Sequence, residues 1–142
     1  MSEYISSDVL ATEAKKLYEE LKTKIDDNSL TPKERGAIPQ QEMPTGEPME
    51  RARSMGEVAT GYTVEQAIVE ANRCLQCKNA PCVNGCPVSV PIPSFIAEVA
   101  KGEFKKAVDD YMVFYNSQRP HSNNNYRTPN AKEAEYYRKN ST

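Results

Sequence analysis

The sequence lacks any apolar run that approaches the ~18 residues of a membrane-spanning helix. It also lacks a dominant charge, because 18 Lys and Arg accompany 20 Asp and Glu for a formal net charge of −2. Composition therefore predicts neither a nucleic-acid partner nor a membrane surface as partner. The acidic start, MSEYISSD, has neither the basic nor the apolar region of a signal peptide. We expect a cytoplasmic protein.

Apolar residues are also scarce, and the chain shows no strand pattern and no internal repeat. The hydrophobic fraction is 38%, below the roughly 45–50% typical of globular proteins, which predicts a small core. From Ser7 to about Asp27, apolar residues recur at steps of three and four, which predicts an amphipathic helix. The residues on this stripe are Leu10, Ala14, Leu17, Leu21 and Ile25.

No helical or alternating pattern lasts between about Leu30 and Tyr62. Four prolines interrupt this stretch, at positions 32, 39, 44 and 48, so we predict an extended proline-rich arm or linker. Order resumes at Thr63-Val64-Glu65-Gln66, a capping box that predicts the start of a helix. Its apolar stripe consists of Ala67, Ile68, Ala71 and Leu75.

Three further helices are predicted after the prolines at 91 and 93. The first runs from Ser94 to Lys101 and is closed by Gly102. The second ends near Asn116, and a third begins at Thr128-Pro129, with Thr as cap and Pro in the first turn. The apolar side of the second consists of Phe104, Ala107, Val108, Tyr111, Phe114 and Tyr115.

All four cysteines of the chain lie within RCLQCKNAPCVNGCPVSVPIP, with the spacing C-x2-C-x4-C-x3-C-P. They are Cys74, Cys77, Cys82 and Cys86. In a reducing compartment, clustered cysteines favour metal or redox chemistry over disulfides. Structural zinc commonly takes two pairs with about a dozen or more residues between them, and these pairs are closer. The compact spacing favours an iron–sulfur cluster, with structural zinc and thiol redox chemistry as the alternatives.

The stretch EVATGYTVEQAIVEANRCLQCKNAPCVNGCPVSVPIPSFIAEVAKGEFKKA resembles the amino-terminal iron–sulfur domain of the NADPH-dependent glutamate synthase small subunit and dihydropyrimidine dehydrogenase family. The marks are RCLQC, PC-x3-CPV, I-P-x-F-I and G-x-F-x-x-A. The resemblance covers about residues 30–107. It implies a helical domain with two [4Fe–4S] clusters that passes electrons between a flavin fed by NADPH and a partner site.

The same resemblance implies that Cys74, Cys77 and Cys82 bind one cluster and that Cys86 is the first ligand of a second. The family's remaining cysteines follow later, and this sequence has none after Cys86. The glycine-rich loops of the flavin and nicotinamide domains are absent, since no G-x-G-x-x-G occurs. We therefore expect a truncated module with at most one 4Fe–4S cluster, no FAD or NADPH site and no complete active site.

After Ala107 the sequence VDDYMVFYNSQRPHSNNNYRTPNAKE resembles the carboxy-terminal end of integrase-type transposases of insertion sequences. The motif is Y-x-x-F-Y-N-x-x-R-P-H with a following T-P, over about residues 108–140. The metal-binding acidic residues of that family lie upstream of this stretch, so Asp109 and Asp110 are not assigned that role. His121 is predicted to be an exposed turn residue.

The prediction is a mainly α protein: a small, truncated, helical ferredoxin-like iron–sulfur domain with an extended proline-rich arm. Its segments are a helix (1–29), the arm (30–62), the partial iron–sulfur domain (63–107) and a transposase-like tail (108–142). The function expected is electron transfer for an NADPH-dependent oxidoreductase, with a glutamate synthase-like large subunit or another flavoprotein as partner. The alternatives are a non-catalytic interaction fragment that docks through the arm and a disabled gene fusion with a transposase remnant.

Overall fold

The structure, a computed structural model, describes residues 4–140, and in these residues the predicted mainly α fold is confirmed. Within them no strand forms, and only two isolated bridges occur, Thr45 with Ala59 and His121 with Arg127. No helix of the described part is long and apolar enough to cross a bilayer. The helices are α1 (Ser7–Asp26), α2 (Pro32–Ala37), α3 (Pro48–Arg51), α4 (Val64–Asn72), α5 (Pro81–Asn84), α6 (Ile92–Ala100), α7 (Phe104–Ser117) and α8 (Pro129–Asn140).

The chain divides into two units. The described part of the first consists of residues 4–75 together with Val99–Gly102, and that of the second consists of residues 76–98 and 103–140. In the first unit α1 packs along α4. Three buried residues form its core, and four partly buried residues of α1 pack against them. The core residues are Leu30, Ile38 and Val69, and the packing residues are Leu17, Tyr18, Leu21 and Ile25.

The predicted first helix is confirmed almost to its ends, since α1 spans Ser7–Asp26. Leu10 and Ala14 of the predicted stripe are buried, at 8% and 1% exposed. The remaining stripe residues contact the core described above. The stripe at a spacing of three and four thus identifies the face of α1 that packs inward.

The arm differs in part from the extended segment that was predicted. It contains α2, which begins in a capping box: Thr31 Oγ1 accepts from the N–H of Glu34, and the Glu34 carboxylate accepts from the N–H of Thr31. Pro32 occupies the first turn of this helix, where its missing N–H costs nothing. The proline that suggested an interruption therefore marks a helix start.

The predicted capping box at Thr63 and Gln66 is confirmed as the start of α4. The predicted apolar stripe of this helix holds for Ile68 and Ala71, whereas Leu75 lies beyond the helix and is 50% exposed. Gly102 has φ +78°, the left-handed conformation expected after a helix.

In the second unit α7 packs on α8. Ala107 and Phe114 of the predicted stripe are buried, but Val108 is 54% exposed, so its assignment to the buried side was wrong. Tyr111 contacts Phe95 edge to face, with ring centroids 6.2 Å apart. The predicted start of the last helix is confirmed, because Thr128 Oγ1 accepts from the Ala131 N–H at 3.3 Å.

Candidate iron–sulfur site

The four cysteines lie in the irregular segment between the end of α4 and the start of α6. Cys74 follows α4 in the first unit and is half-buried. Cys77, Cys82 and Cys86 belong to the second unit, where the first two are exposed and Cys86 is half-buried. None of the four forms a disulfide.

The second unit's part of this segment changes direction through residues with left-handed backbone. Gln76, Ala80 and Ser89 have φ of 51°, 35° and 52°. Such values are uncommon for residues other than glycine and cost free energy, so they persist only where surrounding contacts hold them. Gln76 is held in part by its side-chain amide, which donates to the Pro93 carbonyl at 3.2 Å. At Gln76 the backbone between Cys74 and Cys77 is therefore held by a specific contact.

Cys86 lies in a turn in which the Ser89 N–H donates to the Cys86 carbonyl at 2.9 Å. Hydrogen bonds from Val90, then Val88, and more weakly Ser89, lower the pKa of the Cys86 thiol, and the charge of Arg119 acts in the same direction. Hydrogen bonds to a thiolate favour the charged form. The thiolate is also the form that binds iron, so this environment suits a cluster ligand.

The first-unit cysteine follows directly on a buried turn. The Cys74 N–H donates to the Ala71 carbonyl at 3.2 Å, so the last hydrogen bonds of α4 extend to the cysteine itself. Asn72, two residues earlier, is 3% exposed. Sequence reasoning missed Asn72 and Arg35, which donates to it, since neither residue is apolar, cysteine or histidine. The one signal in the sequence is that Asn72 follows Ile68 by four residues, a spacing that places it on the buried side of α4.

The donor chemistry of the segment fits a 4Fe–4S cluster, because four thiols without a disulfide are what a cubane requires. Within residues 4–140, however, no three Cys, His, Asp or Glu side chains lie together closely enough to hold a metal ion. The assignment of the four cysteines as ligands therefore stays a prediction.

The other titratable residues singled out in the sequence have structural surroundings. Asp109 and Asp110 form ion pairs one turn along α7, with Lys105 at 2.5 Å and Lys106 at 2.8 Å. His121 differs from the exposed turn residue that was predicted. It is half-buried, and its ring lies edge to face on Tyr115 with centroids 4.5 Å apart. The edge-to-face contact with Tyr115 accounts for part of this burial.

Comparison with known families connects the cysteine segment to iron–sulfur proteins. Residues 51–118 match the family described as dihydropyrimidine dehydrogenase domain II, 4Fe–4S cluster. This range includes all four cysteines and extends beyond residue 108 into the first part of the tail.

Individual relatives agree with this match. Over 61 residues the chain is 36% identical to the NAD-dependent dihydropyrimidine dehydrogenase subunit PreT of Salmonella typhimurium. The aligned segment covers 43% of this chain and 15% of that protein. The PreT homolog of Salmonella typhi gives the same values. The glutamate synthase [NADPH] small chain of Halomonas elongata is 34% identical over 59 residues, covering 42% of this chain and 12% of that protein.

The chain thus spans at most 15% of the length of these relatives. The likeness is confined to one segment, so it identifies a domain and not the activity of a whole enzyme. Residues 51–118 are therefore similar to the 4Fe–4S domain of dihydropyrimidine dehydrogenase and to a segment of the glutamate synthase small chain, and this similarity supports an iron–sulfur electron-transfer module.

Proposed function

We propose that this chain binds one 4Fe–4S cluster through Cys74, Cys77, Cys82 and Cys86 and that the cluster carries electrons for an oxidoreductase. The observation that carries the proposal is the presence of all four cysteines inside the segment that matches a 4Fe–4S domain. In the related domains the cysteine that corresponds to Cys86 would be the first ligand of a second cluster. Because this sequence contains four cysteines in all, we assign Cys86 to the same cluster as the other three.

The chain's own residues would supply the ligands and part of their electrostatic environment. Backbone N–H groups around Cys86 favour its thiolate, and hydrogen bonds to cluster sulfurs are one of the factors that set reduction potentials. When bound, the cluster supplies reversible one-electron chemistry. Catalysis on a substrate would belong to a partner.

For that partner we propose a flavoprotein, such as a dihydropyrimidine dehydrogenase-like or glutamate synthase-like subunit. The support is that the relatives are named as a subunit of the first enzyme and the small chain of the second. We further infer from the motif Y-x-x-F-Y-N-x-x-R-P-H that the tail derives from an integrase-type transposase. Its expected role is packing, because the aromatic residue Phe114 is buried in the second unit.

The test is made on protein purified without oxygen and reconstituted with iron and sulfide. We would measure iron and zinc per chain and record the electron paramagnetic resonance spectrum after reduction. About four irons per chain with a reducible cubane signal supports the proposal. One zinc per chain, or substoichiometric iron without a reducible signal, contradicts it.

Matched variants separate ligand loss from general damage. Cys82→Ser removes a proposed ligand from α5, whereas Val83→Ala changes the neighbouring residue of the same short helix. The proposal expects loss of iron in Cys82→Ser and retention in Val83→Ala. Equal iron content in the two variants would mean that Cys82 is not a ligand.

A further inference from the structure

We propose that Arg35, on α2 of the arm, is the positioning residue for the backbone that carries Cys74. The inference rests on the proposed function only for the statement that Cys74 is a cluster ligand. Arg35 lies before the segment that matches the 4Fe–4S domain, which begins at residue 51. The arm would then belong functionally to the cluster site.

The guanidinium group of Arg35 contacts the backbone on both sides of Arg73. Its Nη1 donates to the Asn72 carbonyl at 3.1 Å and makes a longer contact with the Cys74 carbonyl at 3.5 Å. The same nitrogen lies 3.4 Å from Asn72 Oδ1. Because a guanidinium is planar and its donors point in fixed directions, these contacts restrain the carbonyl groups of Asn72 and Cys74.

The remaining donors of Arg35 attach to the arm itself. Nε donates to the Leu30 carbonyl at 3.3 Å, and Nη2 donates to Asn28 Oδ1 at 3.3 Å. Leu30 is a core residue of the first unit. The hydrogen bonds to Asn28 and Leu30 therefore fix the position of the Arg35 side chain, so that it can restrain the Cys74 backbone.

Asn72 extends the same network to a third segment. Its Nδ2 donates to the Ile68 carbonyl at 2.9 Å and to the Ala100 carbonyl at 3.3 Å. The side chain of Asn72 is buried, and a buried amide left without partners would cost free energy. Arg35 supplies a donor to its oxygen, so loss of Arg35 should be felt through both Asn72 and the carbonyl of Cys74.

A second pair of contacts ties the arm to α4 without touching Cys74. Arg73 Nε donates to the Ile38 carbonyl at 3.2 Å, and the Gln41 N–H donates to Glu70 Oε2 at 2.8 Å. These contacts should keep the arm on α4 when Arg35 is changed. The effect of an Arg35 substitution should therefore be local to Cys74 rather than a general release of the arm.

The first test uses the metal-free protein and asks whether Arg35 restrains Cys74. In a background of Cys77→Ser, Cys82→Ser and Cys86→Ser, we would measure the rate of iodoacetamide alkylation of Cys74. Arg35→Ala should raise this rate by about tenfold, because charge-assisted hydrogen bonds that limit local opening are lost. Arg35→Lys should fall short of full rescue, because an ammonium cannot reproduce the fork.

Lys33→Ala is the matched control, since Lys33 is exposed on the same helix. Its alkylation rate should equal that of the background. Circular dichroism checks that each variant keeps its helices. If Arg35→Ala unfolds, the comparison of Arg35→Lys with the background decides. An unchanged rate in a folded Arg35 variant overturns the inference.

The second test uses reconstituted protein with its four cysteines. Loss of the Cys74 ligand should leave a cluster with three irons, which is recognised by its electron paramagnetic resonance signal in the oxidised state. Arg35→Ala should show this signal, as should Cys74→Ser, whereas Lys33→Ala should not. A uniform loss of iron without the three-iron signal would indicate a merely structural role and would overturn the inference.

The two tests distinguish the failure of this inference from the failure of the proposed function. If the unaltered chain takes up no cluster, the proposed function fails, and the alkylation rates still decide whether Arg35 restrains Cys74. If the unaltered chain binds a cluster and neither readout responds to Arg35, the inference fails alone.

Discussion

The packing of α4 in the first unit can be tested with the same substitution at two positions of one helix. Val69 is fully buried, with 0% exposed surface, and belongs to the core with Leu30 and Ile38. Val64 lies in the first turn of the same helix and is 57% exposed. Val69→Ala removes apolar contacts from the core, whereas Val64→Ala removes methyl groups that are mostly exposed to solvent.

The expected loss follows from the two methyl groups that the change removes. Each buried methylene-sized group contributes about 0.8 kcal/mol, or about 1.6 kcal/mol for two, and incomplete collapse of the cavity adds to this. Alanine is also the better helix former, by less than about 0.7 kcal/mol, and this term is similar at both positions. The difference between Val69→Ala and Val64→Ala should therefore be about 2 kcal/mol.

Hydrogen exchange followed by mass spectrometry is the suitable assay, because peptides from α1 and α4 report on the first unit alone. The metal-free chain should show about a thirtyfold faster exchange of its most protected α4 amides in Val69→Ala than in Val64→Ala, as about 2 kcal/mol implies. Equal protection in the two variants would refute the packing of α4 described above.

Three further predictions concern charge, the second core and the cluster. Hydrogen bonds from Lys24, at 2.5 Å, and from Thr31 lower the pKa of Glu34 from 4.5 to about 2. The stabilisation from this carboxylate is therefore present above pH 4.5 and is lost as the pH falls towards 2. When both proteins are titrated over that window, Glu34→Gln should lose less unfolding free energy than the unaltered chain. In the second unit Phe114, 8% exposed, should lose about 3 kcal/mol of unfolding free energy on change to Ala, while Val113→Ala, at 61% exposed, should change it by less than about 0.5 kcal/mol. Removal of iron from reconstituted protein by a chelator should lower the thermal midpoint, since metal binding contributes to folding; an unchanged midpoint would show that the site is not coupled to the fold.

The helices of this chain could be predicted where local sequence signals act alone. The capping box at Thr63 and Gln66 satisfies backbone donors within one turn, so it needs no distant partner to form. The stripe of α1 likewise identifies its buried side. Burial at helix ends could not be predicted in the same way, because Leu75 continues the apolar period after the helix has ended at Asn72.

The arm shows a different limit of sequence reasoning. The prolines of this stretch predict interruptions, yet Pro32 starts α2 and Pro48 starts α3. A proline is compatible with an extended chain and with a first helical turn, and the neighbouring cap decides between them. At α2 the deciding residues were Thr31 and Glu34. The pattern was present in the sequence, but a six-residue helix is too short to show an apolar period.

The contacts around Cys74 could not be predicted from the cysteine spacing, because they come from residues distant in sequence. Spacing identifies which thiols are candidates, and the family match begins only at residue 51. The carbonyls of Asn72 and Cys74 are nevertheless contacted by Arg35, 39 residues before Cys74, and Arg73 Nε donates to the Ile38 carbonyl. A guanidinium in contact with a ligand's backbone also brings a positive charge close to the proposed cluster, and positive charge favours the reduced, more negative state of the cluster. In the proposed site the arm would therefore influence both the position of Cys74 and the reduction potential of the cluster. A comparison of Arg35→Ala with Arg35→Lys separates these effects, because only the second variant keeps the charge.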